Sequence, residues 1–179
     1  SRPGAKKISI EEEMQRVIPS IIDFKKNNLV TQISLDTRNL PTMKLGLESG
    51  VNIINDISGF ADHNKIKFVS KSNLPVIVMH MQNEPNNMQI EPKYSFAPID
   101  IYKILSKRVN LLIQMGVNKS NIVVDPGIGF GKNIYHNLEI LRNVSLFHSL
   151  GVPILIGLSR KTFIHEVVVK GYKYEGITK

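Results

Sequence analysis

Five short apolar runs, each ended by a polar side chain and followed by a segment of helical periodicity, constrain this chain more than any other feature. The runs are "QISLDT", "VNIINDISG", "PVIVMHM", "NIVVDPG" and "VPILIGLSRK". Before the first, Ser9-Ile10-Glu11-Glu12 forms a capping box, and Met14, Val17, Ile18, Ile21 and Ile22 recur at helical spacing to about Asn28. Between the runs, helices are expected from Pro41 to Ser49, over about 62–72, across Ile101 to Leu112 and from Leu138 to Phe147. Gly50, Gly116 and Gly151 supply the stops. A last apolar stretch, Phe163 to Val169, reads as the start of a helix. Strand and helix alternating in this way give parallel strands joined by helical crossovers.

An open doubly wound sheet and a (β/α)₈ barrel both satisfy that alternation. A complete barrel takes about 250 residues, whereas 179 are present. The strand ends favour the barrel. Every run ends in a polar group: Asp36, Asn55, His80, Asp125, and Ser159 with Lys161. In an open sheet the ligand crevice lies at a switch point that few strands reach. In a barrel all strand ends face one mouth. The expectation is an incomplete (β/α)₈ TIM-type barrel with about five parallel strands, residues 1–179 forming a single domain.

Composition narrows the function. With no cysteine, disulfides and thiolate zinc sites are excluded. No apolar run approaches the roughly 20 residues of a membrane span, and no signal peptide is legible, so a cytoplasmic protein with no membrane partner is expected. The net charge of +8 comes from scattered lysines without interleaved aromatics, a weak footprint for nucleic acid, and none is expected as a partner. Ser1 rather than methionine opens the sequence, which reads as a piece of something longer.

The glycine stretch "DPGIGFGK" at 125–132 invites a phosphate-binding reading and fails it. A P-loop needs glycine five residues before Gly131 and a hydroxyl after the lysine; Pro126 and Asn133 stand there. The dinucleotide pattern fails as well, since the third glycine comes one residue early. Gly127, Gly129 and Gly131 instead allow close backbone approach to a ligand, with Phe130 as a wall or merely as an exposed aromatic in a tight turn. Asp36 and Asp125 are structural hydrogen-bonders or ligand acceptors. In the second case two carboxylates, the Asn55 amide and Lys161 suit a flat polar heterocycle with a guanidine-like N–H edge, as in pterins and purines. Lys161 as a Schiff-base lysine is a rival. His80 reads as a hydrogen-bonding residue rather than a metal ligand, and no metal site is assigned to this chain.

Together, "SRPGA", "ISLDT", "NIINDISG", "VIVMHMQNEPNNMQ", "DPGIGFGK…HNLEILR" and "GLSRKTFI" resemble dihydropteroate synthase of folate biosynthesis, in that family's order over residues 1 to about 165. The resemblance implies a cytoplasmic transferase that joins (7,8-dihydropterin-6-yl)methyl diphosphate to p-aminobenzoate and releases diphosphate. It implies pterin contacts from Asp36, Asn55, Ile57, Met79, Asp125, Phe130 and Lys161. It implies p-aminobenzoate contacts from Ser1, Arg2, Pro3, Phe130, Lys161 and Thr162. Asp36 and Lys161 are the catalytic candidates.

Mg²⁺ and a homodimeric full-length protein are also implied. The expected Mg²⁺ ligand lies on a strand upstream of Ser1, and the sequence after Phe163 departs from the family pattern. This piece alone is therefore expected to be inactive. A pterin-binding methyltransferase domain and a non-catalytic pterin-binding module are the alternatives; "SRPG" and "SRKT" argue against the first.

Overall fold

The computed structural model describes residues 5–27, 30–85 and 87–169. Ser9 caps the first helix, α1 (Ile10–Lys26), its Oγ accepting the Glu12 N–H at 3.1 Å. Glu12 sends its carboxylate to Arg16 one turn on. Then follow β1 (Ser34–Asp36), α2 (Leu40–Glu48), β2 (Ile53–Asp56), α3 (His63–Ser72) and β3 (Val76–Met79). The second half comprises α4 (Ala97–Gln114), β4 (Ile122–Asp125), α5 (Ile134–Arg142) and α6 (Thr162–Val169). The left-handed Gly50, Gly116 and Gly151 follow α2, α4 and a 3₁₀ segment, as the sequence leads one to expect.

The strands pair in parallel in the order β1-β2-β3-β4, each crossover moving one place along the sheet. A doubly wound sheet reverses this order at its switch point; here the winding keeps one direction, as in a barrel wall. The fifth expected strand is reduced to one bridge. Val124 donates to Pro153 and Leu155 donates to Val124, and pairing stops at Val124–Ile154. Among the described residues no further strand pairs along its outer side, so it has a partner on one flank only. The helix expected from Leu138 to Phe147 is also broken. It starts earlier, at an Asn133–His136 capping box, and Asn143 ends it before a 3₁₀ stretch, Val144–Leu150.

Side chains on paired strands alternate between two faces. One face, Leu35, Ile54, Val76, Val78, Ile122 and Val124, packs under the helices against Ile66, Val69, Ile101, Leu105, Leu112, Ile140 and Phe147 to form the core. The register puts Asp36 beside Asn55, Asn55 beside Ile77, and Met79 beside Asp125. These residues therefore share the opposite face, the one that lines a barrel lumen.

Asp56 falls on the helix side and is wholly buried. Its carboxylate accepts from Ser58 N–H (2.8 Å), Ser58 Oγ (2.6 Å), Phe60 N–H (3.2 Å) and Lys65 Nζ (2.7 Å). This ties the β2–α3 turn to the first turns of α3 and holds the end of β2 still. Removing one partner of a buried pair leaves an uncompensated charge, at a cost of roughly 3–5 kcal/mol. Lys65→Met is expected to lower unfolding free energy by about that amount in urea titrations.

Candidate active site

Three acceptors stand along the lumen-facing ends of the strands. Asp36 ends β1, Asn55 lies beside it in register on β2, and Asp125 ends β4. Asn55 Oδ1 is buried and has no hydrogen-bond partner. A buried acceptor without a donor costs free energy, so this atom marks a place where a ligand N–H fits. Ile57, Ile77 and Met79 are also buried, at 1%, 7% and 4% exposure, yet stand apart from the core beneath the helices. They supply an apolar floor around the acceptors.

The glycine loop builds the opposite wall. Gly127 has φ +70°, and a Cβ there would lie 1.9 Å from the His80 carbonyl oxygen. Only glycine lets the loop lie on the end of β3 this closely. Gly127 N–H donates to Asp125 Oδ1 at 2.7 Å and fixes that carboxylate. The segment 81–96 clasps the loop from outside: Gln89 Nε2 donates to the Gly129 carbonyl and Tyr94 Oη to that of Gly131, each at 2.8 Å. Phe130, half-buried, carries Lys161 Nζ 4.5 Å from its ring centroid, a cation–π contact.

Burial pushes the Asp125 carboxyl up. The Gly127 N–H and the Lys132 and Lys161 cations oppose that, while Asp36 adds to it. Asp36 reaches solvent, yet its carboxyl is also pushed up, first by desolvation and then by the Asp56 and Glu13 carboxylates. Burial lowers the Lys161 ammonium and Asp125 counters it. Glu13 of α1 accepts from Thr37 Oγ1, Asn39 Nδ2 and Thr42 Oγ1 at 2.9, 2.8 and 2.5 Å, anchoring the turn that follows Asp36. In the sequence this carboxylate is marked only by its place in the first turn of α1.

The structure thus brings Asp36, Asn55, Met79 and Asp125 to one face and places Phe130 against Lys161. Thr162 opens α6 and lies exposed. With Arg160, Lys161, Phe130 and Gln89 it lines a recess of about 770 Å³ beside the glycine loop. Asp36, Asn55 and Asp125 do not line this recess. Ser1, Arg2 and Pro3 lie outside the described residues. His80 contacts the buried Lys132, a residue the sequence reading passed over. Among the described residues no three His, Asp or Glu side chains lie together in a way that could hold a metal ion. No helix among the described residues is long and apolar enough to cross a membrane.

A lumen-facing acceptor row on parallel strand ends, with a glycine loop as wall, is the arrangement of one side of an α/β-barrel mouth. The chain belongs to the family described as pterin binding enzyme, whose sequence profile matches residues 1–176. Dihydropteroate synthase of Haemophilus influenzae is 37% identical over 170 residues, covering 95% of this chain and 62% of that protein. The crystal structure of Yersinia pestis dihydropteroate synthase with a sulfonamide drug superposes with a TM-score of 0.88 at 33% identity, covering 94% of this chain and 61% of that one. Xanthomonas albilineans dihydropteroate synthase in complex with 7,8-dihydropteroate gives a TM-score of 0.83 at 30% identity, covering 95% and 61%. The chain spans about 60% of the length of these relatives.

Gly127→Ala is expected to displace the loop. It meets both the carbonyl clash and roughly 1–2 kcal/mol for a left-handed non-glycine residue. Gly157→Ala, with nothing within 4 Å of the new Cβ, should stay within about 0.5 kcal/mol of the unmutated chain. Thermal melting of the two variants side by side tests the contrast.

Proposed function

We propose that residues 1–179 form one pterin-binding unit of a dihydropteroate synthase, a transferase of folate biosynthesis. The observation that carries this is the orphaned Asn55 Oδ1, set on one face with Asp36 and Asp125. Acceptors in that arrangement match the amino and ring N–H edge of a dihydropterin. The relatives' activity and the 7,8-dihydropteroate held by the Xanthomonas enzyme support the same reading. On this reading the protein is a cytoplasmic homodimer in its full-length form, as the family resemblance implies.

In the proposed reaction, the C–O bond between the pterin methylene and diphosphate breaks, and diphosphate leaves with the electron pair. The aniline nitrogen of p-aminobenzoate attacks the cationic methylene, forms the C–N bond and sheds a proton. No covalent nucleophile is required. Asn55 and Asp125 hold the ring, with Ile57 and Met79 beneath it. Asp36 places negative charge near the developing cation, a contribution of the electrostatic kind that dominates many enzymes. Lys161 sits between the two substrates, over the Phe130 ring. Ser1, Arg2, Pro3 and Thr162 complete the p-aminobenzoate side. Mg²⁺ is implied by the family, and no step is assigned to it.

Calorimetric titration with the dihydropterin diphosphate tests this reading. Asp125→Asn replaces a carboxylate by a neutral amide and sets an N–H donor against a ligand N–H. Loss of one charge-assisted hydrogen bond is worth roughly 1.5–3 kcal/mol, so Kd should rise about 10- to 150-fold. Asn55→Ala should weaken binding by about tenfold. Unchanged affinity in both variants would place the ligand elsewhere.

A further inference from the structure

Lys132 follows the glycine loop and turns back beneath it, only 3% exposed. Its Nζ donates to the Phe130 carbonyl at 2.8 Å and to the His80 carbonyl at 3.3 Å, and lies 3.1 Å from His80 Nδ1. Three acceptors for three N–H groups satisfy a buried ammonium, with His80 accepting at Nδ1. Lys132 takes no part in the ion pairs among the described residues. It is a buried cation held by carbonyls and an imidazole, placed where the end of β3 meets the glycine loop.

Both loop elements used for the ligand hang from this point. The Phe130 carbonyl is tied directly. Asp125 is tied through the Gly127 N–H, and Gly127 in turn rests on the His80 carbonyl that Lys132 also holds. We propose that Lys132 is a positioning residue for the pterin site: its ammonium, acting through the Phe130 and His80 carbonyls, sets the glycine loop and, through Gly127, the place of the Asp125 carboxylate that accepts the ligand N–H. The proposal rests on the pterin reading of Asp125 given above.

The charges around Lys132 agree with this. Burial lowers its ammonium to about 7, the Asp125 carboxylate opposes that, and the Lys161 cation adds to it. Lys132 in turn helps lower the nearby His136 of α5, although burial is the larger cause there. His80, at the end of β3, is pushed well below the usual imidazole range by burial and then by Lys132, and so stays neutral as an acceptor. Asp125 is the carboxylate that gains from the cation, and the more distant Asp36 works against it. Losing the cation at Lys132 therefore raises the Asp125 carboxyl further, and pterin affinity then fails at higher pH as the solution is acidified.

The test is the pH profile of dihydropterin diphosphate binding for the unmutated protein, Lys132→Met, Lys132→Arg and Asp125→Asn. In Lys132→Met the plateau affinity should fall about tenfold, in line with the loss of a hydrogen bond from a charged group. Its acidic limb should move toward neutral pH. The unmutated protein should also lose affinity gently above neutrality as Lys132 sheds its proton. That alkaline limb should vanish in Lys132→Arg, whose guanidinium stays charged, while the acidic limb stays in place. A merely structural lysine would move neither limb. Unmoved limbs in Lys132→Met, beside weakened binding in Asp125→Asn, would overturn this inference and leave the pterin reading standing. No binding by the unmutated protein would overturn both.

Should Lys132→Met fail to fold, a ¹³C titration of the unmutated protein decides the matter. The Asp125 carboxyl carbon must respond to the Lys132 ionisation near neutrality, and a silent carboxyl carbon would overturn the inference.

Discussion

In-register parallel pairing of four short strands is the constraint on which everything else depends. Because side chains alternate across a strand, one register assigns Leu35, Ile54, Val78 and Val124 to the core and Asp36, Asn55, Met79 and Asp125 to the lumen. A slip of one residue in β2 would drive Asn55 beneath the helices and turn Asp56 into the lumen. Asp56 resists that slip, since its four hydrogen bonds to Ser58, Phe60 and Lys65 exist only on the helix side. The buried ion pair thus protects the chemistry of the neighbouring residue without touching it.

Much of this was legible in the sequence because it follows local rules. Ser9 caps α1, left-handed glycines follow elements at 50, 116 and 151, and strand ends fall at Asp36 and Asp125 as their apolar runs dictate. The shared mouth follows from those same polar ends. What escaped was whatever depends on a partner distant in sequence. "PILIG" has the composition of a strand, yet strand formation needs neighbours, and here it forms one bridge with Val124. Lys65 and Lys132 look like surface lysines in a basic chain, and their burial at 6% and 3% exposure follows from Asp56, His80 and Phe130 carrying the matching acceptors. The one available signal was negative: a glycine-loop lysine with no hydroxyl after it has lost its phosphate-binding rationale and needs another.

The geometry also explains why glycine and not a small side chain recurs in the 127–131 loop. A ligand wall made by a loop needs backbone donors brought close to the strand ends, and the His80 carbonyl already occupies the space a Cβ at 127 would take. A Cβ at Gly131 would similarly lie 2.8 Å from the Gln82 carbonyl oxygen. The loop is therefore held between β3 and the segment that follows it, and its shape is set by contacts with the main chain more than by its own sequence.

The clasp of the glycine loop by residues 81–96 has a kinetic side. Gln89 and Tyr94 reach carbonyls 40 and 37 positions further along the chain, across the whole of α4 and β4. Closing a span of that length costs entropy before any contact repays it, and contacts distant in sequence form slowly. Asp36 and Asn55 can take their places as soon as β1 and β2 pair, while the wall carrying Phe130 must wait for the second half of the chain. During folding the acceptors are therefore in place before the pocket that gives them a use.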